Sequence, residues 1–165
     1  AYYFDAVAWA VEQKITSGTN DTTFSPDSGC TRAQMVTFLW RAAGCPAPDS
    51  DICPFVDVDS NAYYYNAVLW AVEQGITSGM TADHFMPDSI VTRAQTVTFL
   101  FRNAGSPDVG DGTYFEDVST DAYYCDAVLW AAVEGITSGM TASQFAPDNI
   151  CTRAQIVTFI YRSMQ

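Results

Sequence analysis

The chain has 165 residues, of which 48% are hydrophobic, 14% aromatic and only 16% charged, a composition that excludes a disordered chain. Nineteen acidic residues against seven Lys and Arg give a net charge of −12, which excludes a broad electrostatic surface for nucleic acid or anionic membranes. No apolar stretch is long enough to insert into a membrane.

Three copies of one unit of about 60 residues fill nearly the whole chain. Trp9, Trp70 and Trp130 mark equivalent positions, and residues 55–105 align with 115–165 without a gap and with identity at most positions. We expect the copies to form one cooperative structural unit. The predicted boundaries are repeat 1 at 1–44, a linker at 45–54, repeat 2 at 55–105, a linker at 106–114 and repeat 3 at 115–165.

Each repeat is predicted to be a helix, a loop and a second helix. In repeat 2 the first helix carries Ala67, Val68 and Ala71 at helical spacing beside Trp70, and it ends at Gly75. The loop reads I-T-S-G followed by F-x-P-D. Its glycine is predicted to adopt a positive φ, and its proline prevents the first helix from continuing. The loop glycines are Gly18, Gly79 and Gly139.

An F-x-D-V segment precedes the first helix in repeats 2 and 3, beginning at Phe55 and Phe115. Ala1 aligns with Ala62, so the chain begins after the place where repeat 1 would carry this segment. Two explanations remain open: the polypeptide was cut, or another segment supplies the missing piece.

The second helix opens on T-R-A-Q, which predicts a capping box. Thr is the N-cap and bonds the N3 amide, while Gln at N3 bonds the N-cap amide in return. The capping residues are Thr31 and Gln34, Thr92 and Gln95, and Thr152 and Gln155.

The arginine of this tetrad occupies the first helical position, where the helix dipole disfavours a cation by about 0.3–1 kcal/mol. It recurs as Arg32, Arg93 and Arg153, so something offsets that cost. One explanation is an internal ion pair with the nearby Asp27, Asp88 or Asp148. The other is a bound anion shared between the guanidinium and the amides of the helix N-terminus.

Three further arginines close the second helices, where a cation complements the dipole and can bond free carbonyls, so no further role is needed. They are Arg41, Arg102 and Arg162. The Trp residues fit core packing better than sugar stacking, whereas both roles remain open for the second tyrosine of each Tyr pair that precedes them, namely Tyr3, Tyr64 and Tyr124.

Five cysteines are present, at positions without metal-ligand spacing. A disulfide between Cys45 and Cys53 in the first linker and five free thiols are both compatible with the sequence. The remaining cysteines are Cys30, Cys125 and Cys151.

No pattern indicates catalysis, a metal or a cofactor. The single histidine, His84, aligns with Thr23 and Gln144 and so fits a loop residue better than a general base. No pair of carboxylates recurs in a way that indicates a glycosidase. We therefore expect a protein without catalytic residues.

Taken together, F-x-D-V, A-V-x-W-A, I-T-S-G, F-x-P and T-R-A-Q in this order resemble the S-layer homology (SLH) domain in three tandem copies. The resemblance implies an all-α, pseudo-threefold assembly, in which the second helices form a central three-helix bundle and the first helices with their loops form peripheral prongs. It also implies a secreted protein at the bacterial cell surface or cell wall.

Members of this family bind secondary cell-wall polymers, often with pyruvylated sugars, in grooves between repeats. The resemblance implies that the same arginines and loop residues contact a carboxylate-bearing sugar. Two departures stand out, because Gln replaces the frequent Glu of the tetrad and Ser precedes the loop glycine where many members carry a larger residue. The implied ligand-binding residues are Arg32, Arg93, Arg153, Gly18, Gly79, Gly139, Ser17, Ser78 and Ser138.

The sequence thus favours a non-catalytic module that anchors a bacterial surface protein to the cell wall. The alternative is a structural or protein-interaction module of a surface assembly without glycan binding. Self-association could then proceed through the incomplete first repeat or a free cysteine.

Overall fold

The structure is a computed structural model that describes all 165 residues. It contains six α-helices, two in each repeat, and only isolated β-bridges, so the all-α prediction is confirmed. None of these helices is long and apolar enough to span a membrane. The helices are α1 (Phe4–Glu12), α2 (Arg32–Ala42), α3 (Tyr65–Glu73), α4 (Arg93–Asn103), α5 (Cys125–Val133) and α6 (Arg153–Ser163).

The first helix of each repeat is short and lacks a side-chain cap at its N-terminus. It is stabilised by packing, since alanines such as Ala67 and Ala71 bury its inner face completely. Gly75 follows the C-cap of α3, where the sequence predicted the end of the helix, and it has φ of 70°. Gly135 follows the C-cap of α5 with φ of 71°, and Lys14 takes the same conformation in repeat 1 at 59°.

The second helices begin with the predicted capping boxes, which are confirmed in all three repeats. In α2 the amide of Gln34 donates to Thr31 Oγ1 at 3.1 Å, and the amide of Thr31 donates to Gln34 Oε1 at 3.0 Å. Most of each second helix is buried, which places these caps inside the fold.

Helices of neighbouring repeats pack in a cycle. Helix α2 packs against α3, α4 against α5, and α6 against α1, so the third repeat contacts the first. Aromatic pairs support two of these contacts: Phe101 with Trp130 at 5.8 Å and Tyr161 with Trp9 at 5.3 Å between ring centroids. The repeat tryptophans therefore serve the packing between helices, as the sequence favoured.

The F-x-D-V segment anchors the loop of its own repeat. The Phe55 ring lies 5.6 Å from the Phe85 ring, and the Asp57 carboxylate accepts hydrogen bonds from the amides of Phe85 and Met86, both at 2.8 Å. Asp117 plays the same part in repeat 3. In repeat 1, no carboxylate accepts the amides equivalent to these, and Phe24 is only half-buried.

The first linker lies against the fold and is held by several hydrogen bonds. Trp40 Nε1 donates to Pro46 O at 2.8 Å, and Tyr65 Oη donates to Asp51 O at 2.6 Å. All five cysteines are free, so the structure favours the free-thiol interpretation over a disulfide between Cys45 and Cys53.

Candidate functional site

Three grooves of similar construction lie between the repeats. Each is lined by the I-T-S-G loop and second helix of one repeat, by the first arginine of a second repeat and by a tyrosine of the third. We name them by the repeat that supplies the loop: groove 1 has a volume of about 340 Å³, groove 2 about 270 Å³ and groove 3 about 390 Å³.

The structure brings all nine of the predicted ligand-binding residues into these grooves, one Arg, one Ser and one Gly in each. Groove 1 contains Arg153, Ser17 and Gly18. Groove 2 contains Arg32, Ser78 and Gly79. Groove 3 contains Arg93, Ser138 and Gly139.

The arginine at the start of each second helix is buried between two phenylalanine rings. In groove 2, Cζ of Arg32 lies 4.7 Å from the centroid of Phe85 and 5.3 Å from that of Phe99. Its Nε donates to the carbonyl oxygen of Phe85 at 2.8 Å. The rings and the carbonyl fix the plane of the guanidinium and offset part of the cost of burying a charge.

The same arrangement recurs in the other two grooves. Arg93 Nε donates to Phe145 O at 2.8 Å, and Arg153 Nε donates to Phe24 O at 2.9 Å. In every case the accepting carbonyl belongs to the loop of a different repeat. The arginines therefore join the repeats as well as lining the grooves.

No carboxylate pairs with these arginines. The only ion pair in the structure joins His84 to Asp83 on an exposed loop, so the ion pair with Asp27, Asp88 or Asp148 considered from the sequence does not form. Every buried side-chain nitrogen has a hydrogen-bond partner, while Arg32 and Arg93 use only Nε. Their terminal nitrogens are thus open to the groove.

The amides of the helix N-terminus are not available to an anion, which corrects one part of the anion-binding hypothesis. The amide of Arg32 donates to Ser89 O at 2.8 Å, that of Ala33 to Pro87 O at 3.0 Å and that of Gln34 to the Thr31 side chain. Carbonyls of the next repeat and the capping box already satisfy the donors that a helix start leaves free. Only the guanidinium remains to bind an anion.

Because the three arginines are buried without an acidic partner, their pKa values lie below the ordinary value of arginine. Desolvation lowers the pKa of Arg32 to about 10, and it also lowers the pKa of Arg93 and Arg153. A guanidinium nevertheless keeps its charge in proteins at neutral pH. Each groove therefore holds a cation whose charge is only partly compensated.

The loop glycines have the predicted positive φ, at 92°, 91° and 85° for Gly18, Gly79 and Gly139. A Cβ on Gly79 would lie 2.5 Å from Thr81 O and 2.5 Å from the Phe55 ring. The loop itself therefore requires glycine here, independently of any ligand. The serines that precede the glycines are exposed at the groove edge.

Two further residues of each groove were not selected from the sequence. Each closing arginine donates to the carbonyl oxygen of the isoleucine in the I-T-S-G loop of its own repeat, as Arg102 Nη1 does to Ile76 O at 3.2 Å. It does not bond a carbonyl at the end of its own helix. The first tyrosine of each Tyr pair is largely exposed, with Tyr123 at 66%, and lies at the groove edge. These arginines and tyrosines recur at equivalent positions in all three repeats, and this recurrence is the signal by which the sequence could have identified them. The groove residues are Arg41 and Tyr63, Arg102 and Tyr123, and Arg162 and Tyr2.

The sequence matches the family model described as "S-layer homology domain" at residues 1–36, 54–97 and 114–157. It is 34% identical to an endoglucanase of Bacillus sp. (strain KSM-635) over 87% of this chain and 16% of the endoglucanase. It is 28% identical to the surface-layer 125 kDa protein of Lysinibacillus sphaericus over 99% of this chain and 14% of that protein. An S-layer protein of Bacillus thuringiensis subsp. finitimus is 26% identical over 96% of this chain and 20% of its own length.

The chain thus spans a fifth or less of each of these relatives, and the shared region accounts for nearly all of the chain. The three matched segments coincide with the three repeats whose loops and arginines build the grooves. The chain belongs to the S-layer homology domain family, with three tandem copies of the domain.

Proposed function

We propose that this chain is a non-catalytic module that anchors a secreted protein at the bacterial cell surface by binding secondary cell-wall polysaccharide in the grooves between its repeats. Family membership and the S-layer and cell-surface relatives support surface anchoring. The single observation that supports glycan binding is the set of three grooves, each with a buried arginine that lacks a carboxylate partner.

The chemistry of the groove fits a sugar that carries a carboxylate, such as a pyruvylated sugar. The terminal nitrogens of Arg93 present two parallel donors, which is the geometry that a carboxylate accepts. The exposed Tyr2 ring at the edge of groove 3 offers a flat surface for a sugar face. Ser138 and Gln155 add hydroxyl and amide groups for sugar hydroxyls.

We also infer a pseudo-threefold assembly in which α2, α4 and α6 form a central bundle and the other helices with their loops form prongs. Support comes from the cyclic packing of α2 on α3, α4 on α5 and α6 on α1, together with contact between α4 and α6. In such an assembly the three repeats unfold as one cooperative unit, because each groove arginine bonds a different repeat.

The anchoring proposal is tested by isothermal titration of the chain with purified wall polymer, before and after removal of ketal-linked pyruvate. We expect Arg93→Ala to weaken binding of the polymer at groove 3 about tenfold, since that groove loses a charge-assisted hydrogen-bonded pair. Lys14→Ala is the matched control, because it removes one positive charge from an exposed position outside the grooves. Equal heats for all three proteins, or for both polymers, would refute the arginine–carboxylate mechanism.

A second candidate is a protein-interaction module, favoured by one specific observation. The half-buried Phe24 and the amides of Phe24 and Ser25 lack the Phe and Asp that cover their equivalents in repeats 2 and 3. A neighbouring copy could cover them. Light scattering during size exclusion separates the candidates, because self-association gives a stable oligomer and anchoring alone gives a monomer that binds wall preparations.

A further inference from the structure

The segments directly before the three second helices bridge one another in antiparallel pairs. Each bridge joins two different repeats, so repeat 1 meets repeat 2, repeat 2 meets repeat 3, and repeat 3 meets repeat 1. Backbone hydrogen bonds follow the same course, from the Val91 amide to Cys30 O at 2.9 Å and from the Cys151 amide to Val91 O at 3.1 Å. The bridged pairs are Thr31 with Ile90, Thr92 with Ile150, and Gly29 with Thr152.

Two of these segments carry a cysteine just before the N-cap threonine, as Cys30 and Cys151, while Val91 occupies this position in repeat 2. One bridge joins Gly29 to Thr152. In an antiparallel pair the residue after one bridge partner faces the residue before the other, which sets Cys30 opposite Cys151. Opposite residues have Cα atoms about 4.5–5.5 Å apart, a separation within the range of about 4.4–6.8 Å that a disulfide spans.

Both thiols lie in the same part of the hydrophobic core. Cys30 and Cys151 are fully buried and belong to one cluster of core residues. Burial is the main reason that the pKa of the Cys30 thiol is raised to about 12, and the nearby Cys151 contributes to the same rise. Val91 is fully buried as well, so packing at this position needs no sulfur.

The junction between repeats 3 and 1 differs from the other two junctions. The chain runs from α2 to α3 and from α4 to α5, so it connects repeat 1 to repeat 2 and repeat 2 to repeat 3. Repeats 3 and 1 are held together by noncovalent contacts, which include α6 on α1 and the bond from Arg153 to Phe24 O. The junction with two cysteines is therefore the one that the chain itself does not connect.

We propose that Cys30 and Cys151 form a disulfide under oxidising conditions and that this bond fastens repeat 3 to repeat 1. The structure holds both residues as thiols, which is the reduced form of the pair. Disulfides persist outside the cell, where proteins of the bacterial surface reside. The bond closes a loop of about 120 residues, a length at which loss of unfolded-state entropy gives large stabilisation. It requires no bound glycan, so it is independent of the anchoring proposal.

The bond forms by exchange with a small-molecule disulfide such as oxidised glutathione. One cysteine thiolate attacks a glutathione sulfur, which gives a mixed disulfide and releases one glutathione. The second cysteine thiolate attacks the protein sulfur of that mixed disulfide and releases the other. The two protein thiols are thereby oxidised, and the two released glutathiones take up their protons. Because burial raises the pKa of both thiols, exchange proceeds while repeats 3 and 1 are transiently apart or while the chain folds.

Oxidation of the reduced chain tests the proposal. Oxidised glutathione at pH 8 is added to the folded chain and, in parallel, to the chain during refolding, and free thiols are then alkylated. Digestion at Asp and Arg isolates Cys30 in residues 27–32 and Cys151 in residues 148–153. We expect mass spectrometry to find these two peptides joined after refolding, and the melting temperature to rise by about 5–15 °C.

Cys30→Val is the matched variant, because repeat 2 carries valine at the equivalent position. We expect this variant to melt close to the reduced original chain and to gain nothing from oxidised glutathione. Cys45→Ser removes an exposed thiol and should keep both the joined peptides and the full rise in melting temperature.

Separate Cys30 and Cys151 peptides after refolding with oxidised glutathione would overturn the proposal. A joined pair without a rise in melting temperature would show that the bond does not fasten the two repeats. An equal rise in the Cys30→Val variant would also contradict the proposal, because the stabilisation would then come from other cysteines.

Discussion

The guanidinium of Arg93 lies over the ring of Phe145, with Cζ 4.7 Å from the ring centroid, while its Nε donates to the carbonyl oxygen of the same residue at 2.8 Å. One residue of repeat 3 thus holds both the face and one edge of an arginine of repeat 2. The opposite edge is left for the groove. This relationship makes the arginine both a joint between repeats and a candidate ligand site.

Replacement of Arg93 by Lys should show that Arg93 stabilises the contact between repeats through its planar guanidinium and not through its charge alone. Lys keeps the charge but cannot stack a planar group or donate from Nε, so we expect Arg93→Lys to lower the free energy of unfolding by about 1–2 kcal/mol. Urea unfolding at pH 7 measures the loss. Arg162→Lys is the control, since Arg162 is exposed in the same groove, and a loss of equal size there would contradict a special role for Arg93.

Asp57 should contribute stability that depends on pH. Desolvation raises the pKa of its carboxyl group, but hydrogen bonds from the Phe85 and Met86 amides outweigh this effect and leave the pKa below the ordinary value. A depressed pKa in the folded state gives stability that is present above the unfolded pKa of about 3.9 and is lost as the pH falls through the folded value.

We therefore expect Asp57→Asn to lower the free energy of unfolding by about 1 kcal/mol at pH 7, and this difference from the original protein should shrink below about pH 4. Unfolding curves from pH 7 to pH 2.5 measure it. Asp111→Asn, at an exposed position in the second linker, should show no such trend. A difference for Asp57→Asn that is constant across this range would refute the assignment.

Lys14 is a site at which the first repeat can be stabilised. It has φ of 59°, in the region that costs a side-chain residue about 1–2 kcal/mol, whereas repeats 2 and 3 carry Gly75 and Gly135 there. We expect Lys14→Gly to raise the melting temperature by about 2–4 °C, measured by calorimetry. Gly75→Lys should lower it by a similar amount, and an unchanged melting temperature in both variants would contradict the prediction.

The uncovered loop of repeat 1 should accept the segment that covers the loops of repeats 2 and 3. Because Ala62 aligns with Ala1, joining a copy of residues 54–61 directly before Ala1 would place a Phe against Phe24 and an Asp at the Phe24 and Ser25 amides. We expect a gain of about 1–3 kcal/mol in the free energy of unfolding from burial of one aromatic side chain. The same extension with Ala in place of that Phe should give little gain, and equal gains would argue against a specific fit.

The cysteines should separate into two reactivity classes. Cys45 is exposed, whereas Cys30 is fully buried and desolvation raises the pKa of its thiol to about 12. We expect Ellman's reagent to label Cys45 rapidly in the folded protein and to label Cys30 and Cys151 only after unfolding. Failure to label Cys45 under non-reducing conditions, followed by labelling after reduction, would instead indicate a disulfide with Cys53.

Features that depend on neighbours in the chain could be predicted from the sequence. The capping boxes follow from the side chains of Thr31 and Gln34, three residues apart, and the positive φ at Gly18 and Gly79 follows from the absence of a Cβ. The helix arginines were recognised as unusual for the same local reason, because a cation opposes the dipole at a helix start.

The sequence alone therefore determined the three repeats, their helices and caps, and the positions of the groove arginines. Only the tertiary structure decided what those arginines meet, since Arg32 bonds Phe85 and Arg153 bonds Phe24, 53 and 129 residues apart in the chain. A carbonyl of another repeat, and not the aspartate that was one of the two explanations, accepts the hydrogen bond from each arginine. Other carbonyls and the capping box occupy the helix amides that an anion would need. Contacts across such separations depend on how the three repeats pack, and no local pattern of residues records that packing.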